Sequence, residues 1–230
     1  LFFLFVLLPI ADYGMGHDPR NPPTDEAKAL EADNWFRFMT LAALPAQLGV
    51  LIWSGRHFAD AGFGPVGIAG WLLSQGIVGG VLAINVAHEL IHKDTTLERA
   101  AGGLLLTSVG YHGFKIEHVR GHHVHVSTPE DASSARFGQS LWHFLPRALV
   151  RNTANAWKLE AQRLAKQGLR WWNMENELLR WSALWLASII AFGVWLGPPG
   201  LAFFLAQGFI AACSLEIINY IEHYGLERQR

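Results

Sequence analysis

The 230 residues are 51% apolar and only 16% charged, with ten Trp, 14 Phe and a formal net charge of -1. So few charges cannot coat a soluble domain of this size, which excludes an ordinary water-soluble enzyme. Two stretches without a charged residue, Ala61 to His88 and Trp181 to Leu215, each exceed the roughly 20 residues a helix needs to cross a bilayer. The single cysteine, Cys213, lies inside an apolar run, so no disulfide framework exists within the chain.

Residues 1–10 form an apolar half-span with no Met, basic leader or cleavage site, and a first helix is expected to be incomplete. The stretch Ala11 to Pro23 is rich in Gly, Pro and Asn and reads as a loop. Thr24 to Asp33 reads as a short acidic surface helix, leading into a span over 35–53 that carries Pro45. Pro65 is placed to open a second full span, 65–87. Between positions 93 and 170 stand 11 of the 18 Lys and Arg against six acids, so the positive-inside rule places the segment 93–177 in the cytoplasm. Within it, Ala100 to Gly110 is apolar but too short to span and is expected to be buried or re-entrant. Arg151 to Trp172 mixes bases with Trp and Leu and reads either as a helix on an anionic membrane face or as a solvated connector. Spans over 178–196 and 201–220 follow, separated by Gly197-Pro198-Pro199-Gly200, a tight hairpin signal. The fold class expected is all-α: one polytopic membrane bundle over 1–230, read as a fragment, with its histidine motifs on the cytoplasmic face.

Those motifs carry the chemistry. Glu117-His118-Val119-Arg120-Gly121-His122-His123 is the densest. On an α-helix His118 and His122 face the same way, while His123 is turned about 100° aside and is free to reach a second cation. His88-Glu89-Leu90-Ile91-His92 repeats the i, i+4 pair at the end of a charge-free span, and His223 stands at the end of the last one. Two spans separate His92 from His223, so parity returns all three motifs to one face. Shared between two cations, the six imidazoles give about three to each. Neutral imidazole binds Fe, Zn, Cu and Ni, so the count does not name the metal. Glu89, Glu117 and Glu222 stand where they could accept the second ring N–H of a ligand histidine. Asn85 and Asn219, each one turn before a histidine, could act similarly, and Glu216 is an acid near the end of an apolar helix, a functional candidate by default. A single His-Glu-x-x-His helix is also the zinc protease signature, with Glu89 as base, but six histidines exceed one catalytic zinc. A metal transporter would need polar groups near the midplane, where Gln47, Gln75 and Gln207 are sparse.

His-Glu-Leu-Ile-His-Lys (88–93), Glu-His-Val-Arg-Gly-His-His (117–123), Thr-Pro-Glu-Asp (128–131) and Asn-Tyr-Ile-Glu-His-Tyr-Gly-Leu (219–226) together resemble the membrane-bound alkane 1-monooxygenase family, within the desaturase and hydroxylase histidine-box superfamily. The resemblance implies a non-haem di-iron monooxygenase that uses O2, and electrons from rubredoxin and its reductase, to hydroxylate the terminal methyl of alkanes. It implies His88, His92, His118, His122, His123 and His223 as iron ligands, and a further histidine box downstream of the last residue here. It also implies a bacterial inner membrane with the iron on the cytoplasmic side, contacts with lipid and hydrocarbon, and no nucleic acid. A desaturase of the same superfamily is the enzymatic alternative.

Overall fold

The computed structural model describes residues 2–17, 23, 26, 30 and 33–228. The turn-rich residues 18–22 and most of the acidic helix expected from Thr24 lie outside them. All regular structure among the described residues is helical. The chain divides into two compact units, Leu1–Ala42 and Ala43–Arg230.

In the first unit, α1 (Phe3–Met15) is a short apolar helix with no buried side chain. It stops at Gly16, whose φ of 73° suits a residue without Cβ. Helix α2 (Asn34–Asp60) begins in this unit and runs unbroken through Pro45. Its buried stripe of Ala43, Gln47, Leu51, Ser54 and Gly55 recurs at helical spacing and belongs to the second unit.

The second unit is built from three long apolar helices around a short buried one. Helix α3 (Pro65–Ile91) and α2 are 27 residues each, or about 40 Å at helical rise, and are apolar enough to cross a membrane. Pro65 occupies the first turn of α3, where its missing N–H costs nothing. Helix α4 (Thr96–Ser108) is capped by Thr95, whose hydroxyl accepts from Glu98 N. At 13 residues it reaches only about 20 Å, and it is buried through Ala101 to Ser108 except Leu104. The long run α7 (Glu177–His223) is opened by Asn176, which accepts from Leu179 N, and is broken at Gly197, with φ 67° and ψ -158°. Trp185 before the break and Gly208 after it both meet the Val109-Gly110 corner at the end of α4, so the two arms fold back beside each other. Around the break Phe192, Phe203 and Phe204 form a core with Leu51 of α2.

Close packing rests on glycine where helices touch. A Cβ on Gly76 would lie 2.3 Å from Ile210, and one on Gly103 would lie 2.3 Å from the Trp181 ring. The buried glutamines serve the same packing: Gln47 Nε2 donates to Ser108 Oγ, and Gln207 Nε2 to the carbonyls of Ser108 and Phe204. Both amides are thus committed to α4 rather than to an ion path. Large side chains such as Val66, Val194 and Phe209 remain exposed, as lipid-facing positions do.

Outside the long helices, α5 (114–125) carries the densest histidine motif, and α6 (Leu141–Lys166) covers it. The buried stripe of α6 is Phe144, Ala148, Asn152, Ala156, Glu160 and Leu164. That face is turned inward onto protein, while Trp142, Val150 and Lys158 stand on the exposed side.

Candidate metal centre

Three elements bring the histidine motifs together: the last turn of α3, the whole of α5 and the last turn of α7. His88, His92, His118 and His123 each present a ring nitrogen within 4.8 Å of the others. The partners within α5 are not the i, i+4 pair that an ideal helix predicts. Residues His118–His122 form a π turn, in which His123 N–H reaches the His118 carbonyl five residues back. Each turn therefore holds an extra residue, and positions five apart overlay. His118 Nε2 and His123 Nε2 stand 3.0 Å from each other. His122 is turned toward His223, their rings 4.9 Å apart, although its ring still stacks on that of His118 at 5.3 Å. The six histidines are thus grouped as four and two rather than three and three.

Local contacts hold this turn. The Glu117 carboxyl lies over Gly121, 2.7 Å from where a Cβ would stand, with Leu159 at 3.2 Å, so a larger residue there would displace that carboxyl. Arg120 points away from the histidines to Glu160 of α6, at 2.7 Å. Glu160 is fully buried and also binds Arg163 and the backbone N–H of Glu177. Burial works against its charge, but these donors win and hold its pKa down to about 2. The Phe114 ring stacks on His118 at 4.5 Å and lies 6.4 Å from His88, an apolar wall to the cluster.

The environment favours neutral, ligand-competent imidazole. Burial, with the neighbouring histidines, lowers the His118 pKa to about 2 and also lowers that of His123. Burial pulls at His122 too, but the Asp131 carboxylate outweighs it and leaves that pKa raised. Burial and Asp131 raise the Glu117 carboxyl to about 7.

Glu89 is exposed and pairs with Lys93 at 2.6 Å, while its charge is still felt by His88. Glu222 and Asn85 are exposed. Glu117 is buried beneath Gly121. Among the described residues the carboxylate hydrogen-bonded to a histidine of these motifs is Asp131, whose Oδ2 lies 3.0 Å from His122 Nδ1. Periodicity gave no sign of it, because it returns across an irregular loop; its place in Thr-Pro-Glu-Asp was the only signal. Asn219 presents its carbonyl to His223 Nδ1 at 3.1 Å and its side chain to Glu216 at 3.3 Å. Glu216 is fully buried and bound by Tyr111, Asn152 and Asn219, with no basic partner among the described residues. Of the remaining histidines, His112 meets Ser182 Oγ at 3.0 Å, while His57 stacks on Trp53 and meets Trp71 at a tilt.

The donor set fits a transition metal. Two ring nitrogens 3.0 Å apart, with two more imidazoles beside them, form a cluster of neutral nitrogen ligands, the set that suits Fe, Zn, Cu or Ni rather than Mg or Ca.

The chain is similar over most of its length to known proteins. The chain is 52% identical over 229 residues to alkane 1-monooxygenase 1 of Pseudomonas aeruginosa, covering 99% of this chain and 60% of that protein. It is 49% identical to alkane 1-monooxygenase 2 of Alcanivorax borkumensis, again over 99% of this chain and 60% of the relative. It is 35% identical over 71% of its length to the hydroxylase component of the xylene/toluene monooxygenase of Pseudomonas putida, covering 44% of that protein. The chain spans about 60% of the length of the two alkane monooxygenases. Residues 63–230, which include every histidine of the cluster, match the fatty acid desaturase family model, and this integral membrane chain belongs to that family.

Proposed function

We propose that this chain forms the greater part of an alkane 1-monooxygenase: a non-haem di-iron enzyme of the bacterial inner membrane, with its metal site on the cytoplasmic side. The observation that carries the reading is the convergence of two histidine motifs at the ends of apolar spans with a third on α5, in a chain about half identical to two proteins named for this activity. His88, His92, His118 and His123 would hold one iron, and His122 and His223 would contribute to a second. The excess of Lys and Arg in 93–177 supports the cytoplasmic assignment.

Bound there, iron supplies the oxidising chemistry that no side chain offers, using O2 and electrons that we assign to rubredoxin and its reductase. One oxygen atom enters the terminal C–H bond, and the other leaves as water with two protons and two electrons. The protein's part is to bind and to exclude. Apolar spans admit a substrate that has no polar handle, Phe114 packs against His88 and His118, and Asp131 fixes the His122 ring by holding its Nδ1.

Full-length protein in membranes should carry about two irons per chain and convert octane to 1-octanol when given O2, rubredoxin and its reductase. His118→Ala, which removes the ring that contacts His88, His92, His122 and His123, should abolish iron binding at the four-histidine group with membrane insertion retained. One zinc and no iron would overturn the reading. Desaturation, which the family's description favours, would show as an alkene product in place of the alcohol.

A further inference from the structure

Behind His122 and His223 lies one buried hydrogen-bonded scaffold, and its centre is Asn152 of α6. Asn152 is only 3% exposed; its Oδ1 has no partner among the described residues, and its amide nitrogen faces Ser133 Oγ at 3.0 Å, Glu216 Oε1 at 2.9 Å and, at the longer distance of 3.5 Å, the Tyr111 hydroxyl. On one arm the Ser133 backbone N–H donates to Asp131 Oδ1 at 3.0 Å, and Asp131 Oδ2 meets His122 Nδ1. On the other arm Glu216 accepts from the Tyr111 hydroxyl and from Asn219 Nδ2, which pins the last turns of α7 where the Asn219 carbonyl meets His223 Nδ1. Among the described residues no hydrogen bond joins this scaffold to His88, His92, His118 or His123.

We propose that Asn152 is a positioning residue that sets His122 and His223 as a pair, and so controls the second cation separately from the one at the four-histidine group. The inference rests on the two-metal reading above. An amide is suited to the task because both of its N–H groups are used, one toward each arm. An apolar side chain of the same size would leave a buried carboxylate and a buried hydroxyl short of a donor, and the two arms would relax independently.

The test is chelator-competition titration of Fe(II) on detergent-purified full-length protein. Wild type should show two binding events. Asp131→Asn, which alters the group touching His122, identifies one event, and His92→Ala identifies the other. Asn152→Leu should weaken the Asp131-sensitive event about tenfold or more and leave the His92-sensitive event within about twofold. Mössbauer spectra of the variant should show one altered iron environment and one unchanged. If Asn152→Leu fails to insert, Ser133→Ala removes one acceptor and keeps the Ser133 backbone N–H, and it should shift the same event in the same direction. Equal weakening of both events, or no change in either, overturns the proposal and leaves the two-iron reading standing. A wild type with a single binding event overturns both.

Discussion

His112 shows how a buried residue outside the cluster makes stability depend on pH. It is 8% exposed, and its Nδ1 has no hydrogen-bond partner among the described residues. Burial lowers its pKa from 6.5 to about 4. The folded state therefore keeps the ring neutral at pH values where the unfolded chain would charge it. Its contribution is fully present above pH 6.5 and is lost as pH falls toward 4, up to about 3 kcal/mol. The unfolding midpoint in detergent should drop through this window, and His112→Asn should flatten that part of the profile. An identical profile in the variant would refute the assignment. Glu160, whose pKa is lowered instead of raised, loses its contribution only at more acid pH, from 4.5 toward 2, so the two windows are separable.

At the scale of elements, glycine contacts set how closely helices approach. A Cβ on Gly208 would lie 2.5 Å from the Val109 carbonyl oxygen, a backbone atom at the end of α4 that cannot swing aside. Gly208→Ala should destabilise by about 1–3 kcal/mol. Gly70, in the exposed middle of α3, has nothing within 4 Å of its Cβ position. Gly70→Ala should be neutral, or stabilising by no more than about 1 kcal/mol. Comparison of the two unfolding curves checks this, and equal effects would mean that the α4–α7 contact is looser than described. Because Val109 follows the helix beneath the cluster, loosening there should also blunt metal retention.

For the whole molecule, the prediction is one of sidedness. The backbone after α7 is tied to the loop after α5: Gly225 N–H donates to the Ala135 carbonyl and Arg228 N–H to that of Ser127, each at 2.9 Å. The segments carrying Ser127 and Ala135 and the residues beyond His223 must therefore share a side. In a Cys213→Ser background, Lys158→Cys and Glu227→Cys, both exposed, should be labelled from one side of sealed vesicles and Ala61→Cys from the other. Ser134, an obvious labelling site from the basic composition of its segment, is 7% exposed and hydrogen-bonded to Asp131, so it is a poor reporter. Opposite labelling of positions 158 and 227 would break the topology.

Much of this was legible in the sequence, because hydropathy and helix length act locally and add along the chain. The charge-free runs at 61–88 and 181–215, the break at Gly197 and the burial of the short apolar stretch from Ala100 follow from composition and turn chemistry alone. The histidine motifs themselves were equally plain. Which histidines face each other was not, because the expected i, i+4 pairing assumes an ideal α-helix, whereas α5 widens into a π turn against Glu160, Leu159 and the Glu117 carboxyl. The sequence also held no sign that Asn152, on a stretch that reads either as a helix on an anionic membrane face or as a solvated connector, would join Ser133 to Glu216. Those contacts link positions 19 and 64 residues apart. No local period records such a distance; only the packing of α6 across α5 and α7 decides it.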